Sequence, residues 1–353
     1  MKKYILLIPF LLFSVFLNGQ FSTGKIVVRW INSTALKNNP AGENPNRHVS
    51  IYLPAEYDHT LNNYPVIYFL HFFPANDSEF IAWTNFNRLL DSAIYIGKIR
   101  PVIVVIADNC TLFRGSLFTN SSFTGNWADY NAKDVVEFID KNFRTIASKE
   151  GRGIAGHSQG GGGAIKLGML FPNVFSSVYA LSPSVLGLTK ELGPDGIGFK
   201  RIQYIKTREQ LISGDDDIFP NAIVAIGRAF SPNPGKPPFY ADLPYIYWGD
   251  TLEIRYDILN KWQKNTPIAM VDSLRNNLKA LRALKLDWGR NDEIEHVPIT
   301  CREFSQKLEN LGIDHFAEEY FGNHGNKVFT PDGRVMNQML PFFNDYLKFE
   351  KKR

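Results

Sequence analysis

The chain has 353 residues, of which 39 Lys and Arg stand against 35 Asp and Glu for a formal charge of +4. With 44% hydrophobic and 21% charged residues, 27 Gly and 20 Pro, it is neither a disordered polyelectrolyte nor a fibrous repeat, and it must fold round a core. Its weak, dispersed positive charge falls short of the basic face that duplex nucleic acid requires, which argues against such a partner.

Lys2 and Lys3 precede an apolar run from Tyr4 to Leu17, followed by Asn18, Gly19 and Gln20. This is the order of a secretory signal, and the run is shorter than the roughly 20 residues of a spanning helix. We expect residues 1–20 to be a signal peptide. The mature chain, 21–353, is then periplasmic or secreted and keeps no membrane anchor after signal cleavage. No Cys lies near the junction to carry a lipid. Sequons at Asn32, Asn109 and Asn120 matter only in a source that glycosylates.

Lys25 to Trp30 and His48 to Leu53 read as the first two strands, separated by a loop through Asn38 to Gly42. Val66 to Leu70 and Val102 to Ala107 are short β-branched runs that read as strands three and four, with one helix predicted between them over Ser78 to Ile96. The alternation continues with a helix over Asp134 to Phe143, a short strand at Ile154 and Ala155, a helix over Gly161 to Phe171 and strand six at Ser177 to Leu181. From Ser182 to Arg282 the rhythm breaks, with helices near Asn221 to Phe230 and Pro267 to Arg282. Ala283 to Trp288 is strand seven, Pro298 to Leu311 a helix, His315 to Tyr320 strand eight and Arg334 to Phe349 a closing helix. This predicts a single α/β domain, an eight-stranded mostly parallel sheet with helices on both faces, and an inserted cap-like segment at 182–282 between strands six and seven.

Gly156-His157-Ser158-Gln159-Gly160 matches G-x-S-x-G, which carries meaning only where a strand turns sharply into a helix. Here a strand precedes it and the glycines Gly160 to Gly163 let a helix start close to the sheet. An overlapping G-x-G-x-x-G, Gly151 to Gly156, precedes its strand where a dinucleotide fingerprint must follow one, so no nucleotide is expected. Neither H-E-x-x-H nor paired C-x-x-C occurs, and we expect no metal or cofactor. The Asp215-Asp216-Asp217 run reads as a solvated turn or helix cap in preference to a calcium site.

A serine hydroxyl needs a base in reach and a group to orient that base. His324 lies in a polar, glycine-rich loop directly after strand eight, the place for a base. Asp292, in the turn after strand seven, is the candidate acid, with Asp287 as its alternative inside the strand. Backbone donors for a developing oxyanion fall to Gln159, which follows the nucleophile, and to the loop after strand three, at Phe73 or alternatively Phe72.

These residues, with Val49 to Tyr57, Tyr64 to His71, Thr124 to Tyr130 and Asn142 to Ile146, resemble the esterase family of α/β-hydrolases. That family includes feruloyl and acetyl-xylan esterase domains, formylglutathione hydrolases, siderophore esterases and mycolyltransferases. The likeness covers nearly all of the mature chain. It implies Ser158, Asp292 and His324 as a catalytic triad and a sheet order of 1-2-4-3-5-6-7-8. In that order Cys110 and Cys301 sit about four strand spacings apart, roughly 19 Å, which predicts two free thiols. Family members usually carry His-Gly after strand three, whereas Phe72 takes the glycine position here, a departure that bears on the oxyanion hole.

The leading expectation is a secreted serine carboxylesterase acting through an acyl-enzyme on Ser158. Its substrate would be a small-molecule or glycan ester, such as an acylated polysaccharide or an aryl ester. Acyl transfer to a sugar acceptor and a catalytically weak carbohydrate-binding protein are the alternatives. The aromatics Phe239, Tyr240, Tyr245, Tyr247 and Trp248 could roof the active site or pack their own segment, and packing is the expectation.

Overall fold

The computed structural model describes residues 22–213 and 217–350. The signal-peptide expectation for residues 1–20 therefore lies outside the described residues, as do Asp215 and Asp216. Eight strands form one sheet: β1 (Lys25–Asn32), β2 (Asn46–Leu53), β3 (Val66–Leu70), β4 (Ile103–Ala107), β5 (Arg152–His157), β6 (Ser177–Leu181), β7 (Ala283–Gly289) and β8 (Phe316–Tyr320). Their order is β1-β2-β4-β3-β5-β6-β7-β8, as the resemblance implies, with β2 antiparallel to both β1 and β4 and every other pair parallel.

Side chains alternate across a strand, so a central strand serves two cores. Val66, Tyr68 and Leu70 of β3 enter one, with helices α3 (Val136–Asn142), α4 (Gln159–Leu170), α6 (Pro267–Lys279) and α7 (His296–Asn310). Ile67 and Phe69 enter the other, with α1 (Asp77–Thr84), α2 (Phe86–Tyr95) and α8 (Leu340–Tyr346). This is why β3 is apolar at every position.

The helix expected over Ser78 to Ile96 is two helices. Asn85 between them adopts φ 50°, a left-handed conformation that Asn tolerates and that ends α1, which starts with an Asn76–Glu79 capping box. The last helix is also shorter than expected, because Val335–Met339 forms a wider π-type turn ahead of α8.

The segment between β6 and β7 packs a third core, centred on Tyr245, Trp262, Phe199 and α5 (Phe219–Phe230), and Phe113 and Leu117 from the loop after β4 join it. The segment is tied to the loop between β1 and β2 by a buried ion pair between Arg228 of α5 and Glu43, with the Arg228 guanidinium 4.0 Å from the Phe113 ring. Of the five aromatics clustered in its sequence, Tyr245 is buried and Trp248 is exposed. Asp217 pairs with Arg201 and accepts from the Phe219 amide in a turn just ahead of α5, whose N-cap position is taken by Ile218 with no side-chain capping bond. Both cysteines are free thiols: Cys110 donates to the Ala75 carbonyl, and Cys301 is buried in α7.

Lys166 of α4 is buried between the sheet helices and the segment, donating to Thr119 Oγ1 at 2.7 Å with its ammonium 4.6 Å from the Phe230 ring. Burial pushes its amine down to about 7. The unfolded lysine stays protonated to about pH 10.4, so the cost of burying it is greatest below pH 7 and fades as pH rises from there. Lys166→Met is expected to raise stability by about 1–3 kcal/mol at pH 7, with the gain shrinking toward pH 10. Thr119 keeps its bond to the Leu117 carbonyl in the variant. Urea denaturation at the two pH values measures this.

Candidate active site

The site is assembled at the ends of β5, β6, β7 and β8. β5 ends at His157, and the chain reverses into α4 through Ser158, which adopts φ 58° and ψ −121°. A non-glycine residue holds such angles only where its surroundings impose them. Here the Ser158 amide donates to the Leu181 carbonyl at 2.9 Å, and the Ser158 carbonyl accepts from Ser184 at 2.9 Å and Gly162 at 3.1 Å. The flanking glycines are required by close approach. A Cβ on Gly156 would lie 2.3 Å from the Gly160 carbonyl oxygen, and one on Gly160 would lie 2.1 Å from that of Leu70.

β7 ends at Gly289, and the turn after it presents Asp292, buried, with one carboxylate oxygen accepting from the Ile294 amide at 2.9 Å. The other oxygen is 2.8 Å from His324 Nδ1, in the loop after β8. Glu293 accepts from the His324 amide at 3.1 Å, and His157 Nε2 contacts the His324 carbonyl at 2.8 Å. With Nδ1 facing a carboxylate, His324 carries its proton there and Nε2 is the free lone pair. Nε2 is buried and has no hydrogen-bond partner, Ser158 included. The two residues approach through His157, the immediate neighbour of Ser158, whose ring centroid lies 4.9 Å from that of His324. Burial, and then the adjacent His324, push the His157 imidazole down to about 3, so it is neutral across the working range.

Asp287, the alternative acid, is not brought to the histidine. It is fully buried within β7 and receives the Tyr179 hydroxyl at 2.5 Å and Arg334 Nε at 2.8 Å. Burial raises its pKa against the opposing pull of Arg334. Its partners make it part of the packing under α8.

A partly open cavity of about 50 Å3 lies beside Ser158, lined in part by Gln159 and Phe73. Gln159 is the first residue of α4, whose amide has no partner within the helix. Phe72, the alternative oxyanion residue, does not line this cavity. Its ring packs against Phe80, Trp83, His157 and Phe329, and its carbonyl is 3.2 Å from His71 Nδ1. Phe72 is also absent from the residues with positive φ, so this backbone position does not call for the glycine it replaces.

The clustered aromatics of the segment do not reach the cavity. Its roof is Leu192 with Ile218, Phe219, Ala222 and Ile226, largely one face of α5. His296 and Val185 complete the wall. Periodicity alone could not separate a cavity-facing stripe from a core-facing one.

Elsewhere His48, Asp77 and Asp108 place ligand-type atoms within 4.8 Å of one another. Their charge is met by protein groups: Arg47 pairs with Asp108 at 2.5 Å, Ser50 donates to Asp77 at 2.6 Å and His48 contacts Asp77 at 2.7 Å. The Asp77 contact raises the His48 pKa above its usual value.

The sheet order, the strained serine between β5 and α4 and the helices on both faces define an α/β-hydrolase fold. A solved ferulic acid esterase shares it at a TM-score of 0.63 and 19% identity, over 92% of this chain and 99% of the other. The family model described as "Putative esterase" matches residues 42–342, and the chain belongs to this family. Esterase Rv1288 of Mycobacterium tuberculosis is 28% identical over 299 residues, covering 82% of this chain and 54% of the relative, so the chain spans about half the length of that protein. An endo-1,4-beta-xylanase/feruloyl esterase of Xylanibacter ruminicola is 35% identical over 120 residues, 32% of this chain and 16% of the relative.

Proposed function

We propose that this protein is an exported serine carboxylesterase that acts on acylated polysaccharides or aryl esters through an acyl-enzyme on Ser158. The observation that carries the reading is Ser158 held at strained angles next to His157, against a histidine whose Nδ1 is fixed by a buried carboxylate and whose Nε2 is free.

Ser158 Oγ attacks the ester carbonyl carbon while His324 Nε2 takes its proton. Asp292 holds the imidazole in the required tautomer and stabilises the imidazolium that forms. The carbonyl oxygen becomes an oxyanion, met by the backbone N–H groups of Gln159 and Phe73. Collapse of the intermediate breaks the bond to the alcohol oxygen, which leaves with the proton from His324. Water then repeats the sequence on the acyl-enzyme, with His324 as base and then acid, and releases the carboxylic acid and free Ser158.

The names of the relatives, together with the signal-like order of residues 1–20, support an extracellular carbohydrate ester as substrate. A panel of acetyl, feruloyl and siderophore esters given to the purified mature protein tests this. Hydrolysis of acetyl or feruloyl esters is expected, and failure on both classes beside turnover of a siderophore ester would refute the substrate assignment.

A further inference from the structure

The cavity beside Ser158 has a wall that is apolar except for Ser158, Gln159, Ser184 and one imidazole, that of His296 at the start of α7. His296 is 2% exposed, and its Nδ1 lies 2.9 Å from Glu191 Oε2. The same carboxylate accepts the amides of Glu295 at 2.8 Å and His296 at 3.2 Å, so one side chain from the segment holds both the ring and the first turn of α7. Burial works to raise the Glu191 pKa, but the hydrogen bonds from His296 and neighbouring amides outweigh it and bring it down to about 2. Glu191 is therefore an acceptor only, His296 carries its proton on the Nδ1 that faces it, and Nε2 presents a lone pair.

That lone pair is poorly used. Its one donor is the Val185 amide at 3.4 Å, beyond the usual range of an N–H donor. Val185 itself sits at φ 60°, where β-branched residues are outliers. A good acceptor with a weak partner, in an otherwise apolar wall joined to the nucleophile, is the kind of isolated polar group that fixes ligand orientation.

We propose that His296 is a specificity-determining residue whose Nε2 accepts a hydrogen bond from a hydroxyl on the acyl group, in place of the long bond from Val185. The inference rests on the serine esterase reading. During turnover the alcohol departs while the acyl group stays on Ser158, so the partly open space beside the serine is placed to hold the acyl part. At about 50 Å3 the partly open cavity takes about three or four non-hydrogen atoms, so a short hydroxyacyl group fits within it and a longer acyl group extends from its mouth.

The test compares kcat/KM for three pairs of ethyl esters: glycolate with acetate, 3-hydroxypropionate with propionate, and 3-hydroxybutyrate with butyrate. Each value is divided by the ester's rate of alkaline hydrolysis, which removes the activating effect of the hydroxyl on the carbonyl. The wild type is expected to favour the hydroxylated member about tenfold in at least one pair. His296→Asn keeps a donor to Glu191 but removes the acceptor, and should bring that ratio to within about twofold of unity. His296→Gln, whose side-chain oxygen can reach the Nε2 position, should recover part of it and serves if the Asn variant does not fold. Equal treatment of both members of every pair by the wild type, or a ratio unchanged in His296→Asn, overturns the proposal. Absence of turnover of all six esters beside hydrolysis of a feruloyl ester overturns the proposal, whereas absence of turnover of the six and of the feruloyl ester overturns the esterase reading on which it stands.

Discussion

Replacing Ser158 with Ala is expected to lower kcat for an activated acetate ester by a factor on the order of 10⁶, and His324→Ala by a similar factor. In the proposed mechanism the two act as one unit: the serine is not nucleophilic without a base, and the base has nothing to deprotonate without the serine. The double variant should therefore be no slower than either single variant, leaving only what the Gln159 and Phe73 amides and substrate binding supply. Steady-state rates of the three variants measure this. Losses that multiply in the double variant would mean that the residues act independently and would contradict a shared proton transfer.

The second large effect separates two aspartates five positions apart. Asp292→Asn should reduce kcat about 10⁴-fold with little change in stability, because an amide presents its N–H to the ring and turns His324 to the wrong tautomer. Asp287→Ala should do the reverse. It leaves Arg334 Nε and the Tyr179 hydroxyl without their shared acceptor inside the sheet, while Arg334 retains Glu318 at 2.8 Å. The expected cost is about 3 kcal/mol of stability, the low end of the range for breaking a buried pair, with a near-normal rate for the molecules that remain folded. Urea midpoints and rates on both variants, measured together, give the answer.

The elements of the sheet were legible because a β-branched run of five residues between polar turns, as at Val66–Leu70 and Ser177–Leu181, has few other ways to fold. The positions of Ser158, Asp292 and His324 were legible for a related reason: each sits just past a strand end, and strand ends are marked by a switch from apolar to polar and glycine residues. The break at Asn85 was not, because nothing in the helical spacing of Phe80, Ile81, Leu89 and Leu90 announces a left-handed residue between them. The roof of the cavity was hidden because Phe219, Ala222 and Ile226 share a helix with core residues such as Ile223 and Val224. Glu191 and His296 were hidden because they are 105 positions apart, and their meeting depends on how the segment between β6 and β7 packs onto α7. His296 did carry one local signal, lying four positions past Asp292.

The central claim is that Ser158 is the nucleophile. Treating the purified protein with a fluorophosphonate probe and mapping the adduct by peptide mass spectrometry tests it directly. A single adduct on the peptide containing Ser158, abolished in Ser158→Ala, is the predicted result. Labelling that persists in Ser158→Ala, or maps to another residue, would contradict it.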